Sequence, residues 1–482
     1  MALPGLSLPG LGAASTPTPV FGGAAPPTEQ LPRREVLPPQ AEWRFEASFN
    51  QPYNVKVVRG HAELSGVELA ANQTYDLCGS KGAIFSWHGC QLEITGDAES
   101  EYAAQETEYA VEWLSLHSML ETARDERRHD GPRVLVVGPD HTGKSSLVQT
   151  LAARAVQAGR APTVVNLDSR EGLLAPPSSL TAVTVSSQMD VENGFGISPI
   201  SGPTITPVKT PLIYHYPYTS PAERPAVYKA LLTRIALSTI NKLEEDPAAK
   251  QSGIIIDTPG SLNDPKSGYD LLHHIVSEFS ITLILSLGSE RLFNDLSRRY
   301  AASSKSADEA IPVLKLAKPG GAVERDGGYM KQLRTRRIRQ YFFGTAKEPL
   351  NPHSHMLSFD ELVVYRAKAA VHESEISSFG AEEDDYDPSG DSTMTSASPT
   401  TAIFERVAPS VAMTGALIAI KFCPANSEEF AVRDSAVMGY LYVADVDEAR
   451  RKVRFLAPHP QRWGDRALVW GQWPEAVADL VT

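Results

Sequence analysis

The chain contains little cysteine, no excess of basic charge and no long apolar run, and each shortage excludes a class of protein. Its three cysteines, Cys78, Cys90 and Cys423, fit neither a disulfide framework nor a metal motif, so we expect reduced, buried thiols. The formal net charge of -13 argues against a general DNA binder. No run is long enough to cross a membrane, and the first charged residue, Glu29, comes too late for a signal peptide. We therefore expect an intracellular protein.

What is present is a composition typical of globular domains, with 42% hydrophobic and 21% charged residues. A length of 482 residues exceeds that of one ordinary domain. Changes in composition predict four parts: a disordered Pro/Gly/Ala-rich tail over 1–40, a small β domain with a helical linker over 41–128, a central domain over 129–345, and a C-terminal mixed α+β domain over 346–482. The acidic, Ser/Thr-rich stretch at about 374–401 is predicted to be a disordered insertion in the last part.

The central part carries a phosphate-binding loop. Gly138–Ser145 reads G-P-D-H-T-G-K-S, which is the G-x-x-x-x-G-K-[ST] pattern, and it lies between the buried apolar run Arg133–Val137 and the helical segment Ser145–Ala158. Strand, glycine loop and helix in this order are the context that the motif needs. The loop N–H groups face the phosphates, Lys144 reaches the β- and γ-phosphates, and the Ser145 hydroxyl joins a magnesium shell. The sequence therefore predicts ATP and Mg²⁺ as ligands.

Two acidic residues follow buried strands of the same region. Asp168 ends Thr163–Asp168, and Asp257 ends Gly253–Asp257. Ligands of open α/β sheets lie at the carboxyl ends of the strands, so both side chains are predicted to face the phosphates. Asp168 is a candidate magnesium-water ligand or base, and Asp257 a candidate magnesium ligand through water. Each can instead be a turn-forming residue without a metal role.

The order of strands and helices predicts the fold class. The central part is expected to be α/β, a doubly wound parallel sheet around the P-loop. Within it, Ser169–Pro221 is rich in Pro, Gly and Ser, which predicts long loops. The basic segment Lys331–Arg339 contains Lys331, Arg334, Arg336, Arg337 and Arg339. It can close over a triphosphate or bind an RNA phosphate, or it is a solvated helix face.

The chain resembles a known family on several stretches beyond the P-loop. These are Ile84–Cys90, Gly131–Val134, Asp190–Phe195, Ser289–Asn294, Gly320–Arg325 and Arg337–Phe342. They are similar to the eukaryotic polynucleotide 5′-hydroxyl kinases, a family that includes the ATP-binding subunit of the pre-mRNA cleavage and polyadenylation factor. The Asp257-Thr258-Pro259 turn is most like the fungal Clp-type subunit of cleavage and polyadenylation factor IA.

The resemblance implies three domains, with the N-terminal one reaching over the nucleotide. Positions that match the family's nucleotide contacts are Glu42, Lys81, His141, Thr142, Gly143, Lys144, Ser145, Ser146 and Arg325. Glu42 and Lys81 would contact the base, although each residue by itself is typical of a solvated charge. The basic segment matches the arginine lid of the family.

The chain departs from the active kinases at two places. Glu171 stands where those enzymes have glutamine, and a carboxylate there would repel the phosphates. After Thr258 the chain reads Pro-Gly-Ser and lacks the tryptophan that helps to hold the RNA end. Both departures predict that phosphoryl transfer suffers.

The sequence therefore favours a non-catalytic, ATP-holding subunit of the nuclear machinery that cleaves and polyadenylates pre-mRNA. The resemblance implies other cleavage-factor subunits as partners, above all the scaffold that binds the polymerase tail, with weak or indirect RNA contact. One alternative is an active RNA 5′-hydroxyl kinase in which Asp168 is the base. Another is a regulatory ATPase; the chain lacks an Asn-Lys-x-Asp signature, which disfavours GTP.

Overall fold

The computed structural model describes residues 31–127, 129–196, 211–302, 310–368, 403–460, 463, 465–478 and 480. Its N-terminal part is a sandwich of two antiparallel sheets, ordered β1-β8-β3-β6 and β5-β4-β7-β2-β9. The strands are β1 (Arg33–Leu37), β2 (Ala41–Glu46), β3 (Asn54–Gly60), β4 (Glu63–Leu64), β5 (Val67–Glu68), β6 (Thr74–Asp76), β7 (Lys81–Ser86), β8 (Cys90–Thr95) and β9 (Ser100–Ala104). Side chains from both sheets, among them Phe45, Val55 and Leu92, fill the space between them.

The predicted tail extends too far. Strand β1 lies inside the segment 1–40 that composition marks as disordered, and it pairs antiparallel with β8 from Arg33↔Ile94 to Leu37↔Cys90. Alternating side chains explain the difference, because the buried Leu37 packs into the sandwich while Val36 stays exposed. Residues 1–30 lie outside the described part of the chain.

Helix α1 (Glu108–Glu126) leads from the sandwich to a seven-stranded central sheet with the order β13-β12-β11-β14-β10-β15-β16. Its strands are β10 (Arg133–Val137), β11 (Thr163–Asn166), β12 (Ser179–Thr184), β13 (Leu212–His215), β14 (Ile254–Asp257), β15 (Leu283–Leu287) and β16 (Val313–Leu316). The helices are α2 (Lys144–Gln157), α3 (Pro225–Glu245), α4 (Pro247–Ser252), α5 (Asp270–Glu278), α6 (Glu290–Ala302) and α7 (Gly327–Phe343).

The central sheet is covered by helices on both faces. Val134 and Val136 of β10 pack in one core with residues of α1 and α2. Leu135 and Val137 point the other way, into a core shared with α3 and α5. A strand buried on both faces has the continuous apolar sequence seen at Arg133–Val137. The predicted doubly wound α/β class is confirmed.

The prediction of long loops over Ser169–Pro221 is wrong in part. Strands β12 and β13 form there, where β12 pairs antiparallel with β11 and β13 pairs antiparallel with β12. The serine and threonine residues of β12 make its sequence resemble a loop. In the structure Ser179 and Thr181 are buried, and their hydroxyl groups form hydrogen bonds with nearby main-chain carbonyls. Ser179 Oγ donates to Pro176 O at 2.6 Å, and Thr181 Oγ1 donates to Leu173 O at 3.0 Å.

The C-terminal part is a seven-stranded sheet in the order β17-β22-β21-β20-β23-β18-β19, with helix α8 (Glu429–Asp434) beside it. Its strands are β17 (His353–Ser358), β18 (Val364–Ala367), β19 (Phe404–Val407), β20 (Leu417–Pro424), β21 (Val437–Asp447), β22 (Lys452–Ala457) and β23 (Arg466–Trp470). One face carries a core of its own, and the other joins the core of the central sheet through residues such as Tyr440 and Val469. The acidic stretch 374–401 lies outside the described residues.

No helix in the described ranges has the length and apolar character that a membrane crossing requires.

Candidate functional site

The P-loop follows β10 and ends in the first turn of α2. Gly138 must be glycine, because a Cβ there would lie 2.4 Å from Leu287 O. Gly143 precedes the helix with φ +88°, a left-handed conformation that favours glycine. Thr142 Oγ1 donates to Pro139 O at 2.9 Å and fixes the loop. The loop and the N-terminus of α2 therefore form a preorganised concave surface for an anion.

Lys144 is buried within this loop. Its Nζ donates to Pro139 O at 2.6 Å. Burial lowers the pKa of Lys144, while the carboxylates of Asp257 and Asp140 oppose that shift. An ammonium bonded to a loop carbonyl can exchange that partner for phosphate oxygens, which accept charge-assisted hydrogen bonds.

Ser145 and Asp257 meet beneath the loop. The Ser145 hydroxyl donates to Asp257 Oδ2 at 2.6 Å, because β14, which carries Asp257, is hydrogen-bonded directly to β10. The other carboxylate oxygen, Asp257 Oδ1, is buried without a hydrogen-bond partner in the described residues. Burial raises the pKa of Asp257 to about 6, with the Ser145 hydroxyl and Lys144 opposing the shift.

This arrangement fits a hydrated magnesium ion. A buried carboxylate oxygen without a donor is costly, and a metal-bound water would supply the missing donor. Mg²⁺ prefers oxygen ligands and keeps several of its waters, so a serine hydroxyl and an acid acting through water suit it. Ser145 would hold the ion and Asp257 would orient its water, and the ion would neutralise phosphate charge.

Asp168 reaches the cavity above the P-loop, but both of its carboxylate oxygens are engaged. Arg170 Nη2 lies 2.8 Å from Asp168 Oδ2, and Arg170 Nε lies 3.1 Å from Oδ1. The same guanidinium binds Asp140 Oδ1 at 2.7 Å. Burial raises the pKa of Asp140, but the Arg170 hydrogen bonds outweigh burial and lower it to about 2. Arg170 therefore competes with a metal or a hydroxyl for Asp168.

Glu171 forms a two-pronged ion pair with Arg325. Arg325 Nη1 donates to Glu171 Oε2 at 3.2 Å, and Nη2 binds Oε1. Arg337 approaches from α7 and donates to Gly172 O at 3.1 Å and to Glu171 O. Burial would raise the pKa of Glu171, but the charges of Arg325 and Arg337 outweigh it and hold that pKa well below its usual range. The carboxylate thus offsets cationic charge that would otherwise face the phosphates.

A cavity of about 370 Å³ joins these groups to the N-terminal domain. The P-loop forms one wall through His141, Thr142, Gly143, Lys144, Ser145 and Ser146, with Asp168, Glu171 and Arg325 beside them. Four further lining residues are aromatic, namely Phe45, Phe85, Tyr109 and Trp113, and we call them the aromatic wall. The cavity lining therefore combines charged and hydrogen-bonding groups with aromatic residues, as a nucleotide requires.

The two predicted base contacts differ in position. Lys81 lines the cavity, where its Nζ binds Glu46 Oε2 at 2.7 Å and lies 5.0 Å from the centre of the Tyr329 ring. Glu42 is fully buried behind the cavity lining, and its carboxylate binds Arg44 and the Tyr109 hydroxyl. Glu42 therefore orients a residue of the aromatic wall instead of lining the cavity itself.

The basic segment is split between two faces of α7. Arg336 and Arg337 line the cavity, and Arg336 also binds Cys78 O of the N-terminal domain. Arg334 points away and pairs with Glu475. Lys331 and Arg339 do not belong to the cavity lining, and the Arg339 guanidinium lies 5.4 Å from the centre of the Phe343 ring. Two of the five basic residues thus remain candidates for a phosphate lid.

Sequence reasoning missed the aromatic wall, apart from the strands that carry two of its members. Tyr109 and Trp113 lie four positions apart on α1, in a segment recognised only as helical and charged. Their rings meet edge to face, with centroids 5.0 Å apart. Aromatic residues at i and i+4 are a signal for one helix face, although they do not reveal what that face meets.

Comparison with known proteins identifies the family. The profile described as "N-terminal beta-sandwich domain of polyadenylation factor" matches residues 36–127, and "mRNA cleavage and polyadenylation factor CLP1 P-loop" matches 138–344. A third, "Pre-mRNA cleavage complex II protein Clp1", matches 350–475. The chain belongs to the Clp1 family of mRNA cleavage and polyadenylation factors. This confirms the resemblance seen in the sequence and, through the P-loop profile, the nucleotide-binding character of the central part.

Similar proteins cover the whole chain. A mRNA cleavage and polyadenylation factor of Botryotinia fuckeliana is 42% identical over 99% of this chain and 100% of its own. One from Phaeosphaeria nodorum is 43% identical over the same shares. Clp1p in a solved Clp1p–Pcf11p complex has a TM-score of 0.79 at 24% identity and covers 92% of this chain and 98% of its own, which supports the fold.

Proposed function

We propose that this protein is an ATP-holding, non-catalytic subunit of the nuclear machinery that cleaves and polyadenylates pre-mRNA. Family membership over the full chain supports the pathway and the nuclear location. A related Clp1p structure is described with an extended Pcf11p interface and with ATP loss in a glycine-to-arginine mutant. By analogy, the partner of this chain is the scaffold subunit of the same cleavage factor, and its nucleotide is ATP with Mg²⁺.

The observation that carries the non-catalytic role is the Glu171–Arg325 pair. Phosphoryl transfer depends on cations that meet the developing charge of the transferring group. Here the Arg325 guanidinium is bound in two places by Glu171, and both oxygens of Asp168 are bound by Arg170. The candidate nucleotide-binding cation Arg325 and the candidate base Asp168 are therefore both engaged by protein groups.

ATP would act as a structural ligand between domains. The cavity is built from the P-loop and from the N-terminal sandwich, so a bound nucleotide contacts both. A ligand stabilises only the state that binds it, and tightly held ATP would thus favour one arrangement of the two domains. That arrangement would present the surface that the scaffold subunit recognises.

The test measures partner binding as a function of nucleotide. Purified wild-type protein, Lys144→Ala and the control Lys250→Ala are titrated with a scaffold-subunit fragment, and nucleotide is extracted from each and identified. We expect ATP in the wild type and the control, none in Lys144→Ala, and weaker scaffold binding by Lys144→Ala alone. Equal scaffold binding by all three proteins would contradict ATP as an organising ligand.

An RNA 5′-hydroxyl kinase is the second candidate. It is favoured by one observation, namely that Lys144, Asp168 and Arg325 all line the same cavity. For this function, the ion pairs Asp168–Arg170 and Arg325–Glu171 would have to break when RNA binds. Label transfer to RNA separates the two functions.

A further inference from the structure

Helix α7 contacts the C-terminal domain at more than one place, through Tyr341 beside Tyr440 and through Arg334 at the Trp473 ring. The Arg334 guanidinium lies 4.7 Å from the centre of the Trp473 ring, and its Nε donates to Glu475 Oε2 at 3.0 Å. Arg334 is 8% exposed, so the stacked arrangement is largely shielded from water and worth more than a surface contact. Arg336 and Arg337 on the same helix line the nucleotide cavity.

The same ring contacts the loop that follows β11. Trp473 Nε1 donates to Ser169 O at 3.4 Å. Ser169 is buried, and its neighbours in the loop, Asp168 and Glu171, both line the cavity. The loop is tied to the central domain as well, because Ser169 Oγ donates to Tyr218 O at 3.1 Å. Trp473 therefore supports the main chain of the loop that carries Asp168 and Glu171.

The segment that carries Trp473 is anchored in the C-terminal domain. Val477 N donates to Gly415 O at 2.9 Å, and the Tyr442 hydroxyl donates to Val477 O at 2.8 Å. On the other side, Gly471 leaves room for Pro217, since a Cβ at this position would lie 2.3 Å from the proline Cβ. A movement of the C-terminal sheet would thus displace Trp473. A displacement of Trp473 would in turn move α7 and the loop that follows β11.

We propose that Trp473 is a positioning residue that couples the C-terminal domain to nucleotide release. Trp473 is not among the residues that line the cavity, and it would act through its contacts with Arg334 of α7 and with the loop Asp168–Gly172. Coupling between two sites is reciprocal, so bound ATP must also bias the environment of Trp473. This inference rests on the proposed function in one respect, which is that the nucleotide held by the cavity is ATP.

The first experiment measures how fast bound ATP leaves. Full-length protein is loaded with labelled ATP and Mg²⁺ and chased with unlabelled ATP. Trp473→Ala removes both the ring and the N–H donor, and we expect about tenfold faster release, within the usual range for coupled sites. Trp473→Phe keeps a ring beneath Arg334 but loses the donor, so its release rate should lie between those of wild type and Trp473→Ala.

The matched control is Trp463→Phe. Trp463 is buried in the core of the same domain against Phe455 and His355, away from α7. The rate at which Trp463→Phe releases ATP should stay within about twofold of the wild-type rate, because Trp463 lies outside the nucleotide cavity, in the separate core of the C-terminal domain. The midpoint of thermal unfolding without nucleotide is recorded for every variant, since general destabilisation would lower it in the control and in the Trp473 variants alike.

The second experiment observes Trp473 itself. Protein labelled with 5-fluorotryptophan gives one ¹⁹F signal for each tryptophan, and the signal missing from Trp473→Phe is that of Trp473. We expect this signal to shift when ATP is added, which a merely structural contact would not require. The shift should vanish in Lys144→Ala.

The outcomes separate the two proposals. ATP retained by the wild type, with equal release from Trp473→Ala and Trp463→Phe, would overturn the coupling alone. A Trp473 signal unmoved by ATP would also overturn it, even if release were faster, because reciprocity would fail. A wild-type protein that retains no ATP would overturn the proposed function and the coupling together.

Discussion

The two walls of the cavity are built in opposite ways. The P-loop wall comes from consecutive residues, His141–Ser146, and each position is fixed by the local geometry of one strand–loop–helix unit. The aromatic wall is assembled from β2, β7 and α1, whose contributing residues lie up to 68 positions apart from Phe45 to Trp113. The proposed phosphate contacts are thus local in the chain, whereas the proposed base contacts come from residues that only the folded N-terminal part brings together.

The walls also differ in their electrostatics. On the phosphate side, half-buried and buried charges are paired within the protein, as in Glu171 with Arg325 and Arg170 with Asp168. On the aromatic side, Glu42 is not among the residues that line the cavity and is paired with Arg44 and the Tyr109 hydroxyl. We therefore expect substitutions on the first wall to affect any triphosphate, and those on the second to affect only ligands with a base.

The largest effect should come from Lys144→Ala on the P-loop wall. The change removes charge-assisted bonds to phosphate, and losing about two of them weakens binding at least about 100-fold. Isothermal titration with ATP and with inorganic triphosphate should show this loss for both ligands. The control is Lys250→Ala, which alters a lysine of α4 that is paired with Glu244 of α3. A loss confined to ATP would contradict the assignment of this wall.

Removal of magnesium should have the second-largest effect on ATP binding. Ser145 and Asp257 are expected to hold the hydrated ion, so chelation of Mg²⁺ should weaken ATP binding by about tenfold as phosphate charge goes uncompensated. In Asp257→Asn the binding constants with and without Mg²⁺ should converge. Titrations in magnesium and in EDTA measure both proteins. An unchanged magnesium effect in Asp257→Asn would show that the ion is held elsewhere.

Tyr109→Leu tests the aromatic wall. Loss of a ring face forfeits about 1 kcal/mol or more of base stacking, so ATP binding should weaken about fivefold. Binding of inorganic triphosphate should stay unchanged, which is the contrast with Lys144→Ala. Tyr102→Leu, at a half-exposed tyrosine on neighbouring β9 outside the main cavity, is the control. Equal losses for ATP and triphosphate in Tyr109→Leu would erase the distinction between the walls.

Lys81→Ala should have the smallest effect. The Lys81 ammonium already binds Glu46 and lies over the Tyr329 ring. Its further contact with the base would therefore be weak, and its loss should lower ATP affinity about twofold. Competition of ATP against labelled nucleotide measures the change, with Lys56→Ala, paired to Glu93 in the same domain, as the control. A tenfold loss would make Lys81 the main determinant of base binding.

The sequence predicted the fold class and the position of the P-loop because their signals are contiguous. A few consecutive residues identify the P-loop Gly138–Ser145 and the strand that ends in Asp257. In the structure, Ser145 is hydrogen-bonded to Asp257 because β10 and β14 are neighbouring strands. It could not predict that Glu42 acts behind the lining, since the Tyr109 hydroxyl that it binds lies 67 positions further along the chain. Strand β12 escaped notice because its hydroxyls are satisfied by loop carbonyls that only the fold supplies.

The most direct test of ATP as a held ligand is the fate of its γ-phosphate. Wild type, Lys144→Ala and Glu171→Gln are incubated with γ-labelled ATP, Mg²⁺ and a 5′-hydroxyl RNA, and label on the RNA is counted against ATP recovered from denatured protein. We predict no label on the RNA with the wild type and intact ATP released from it. Label that reaches the RNA with the wild type and disappears with Lys144→Ala would establish a kinase and contradict the non-catalytic role.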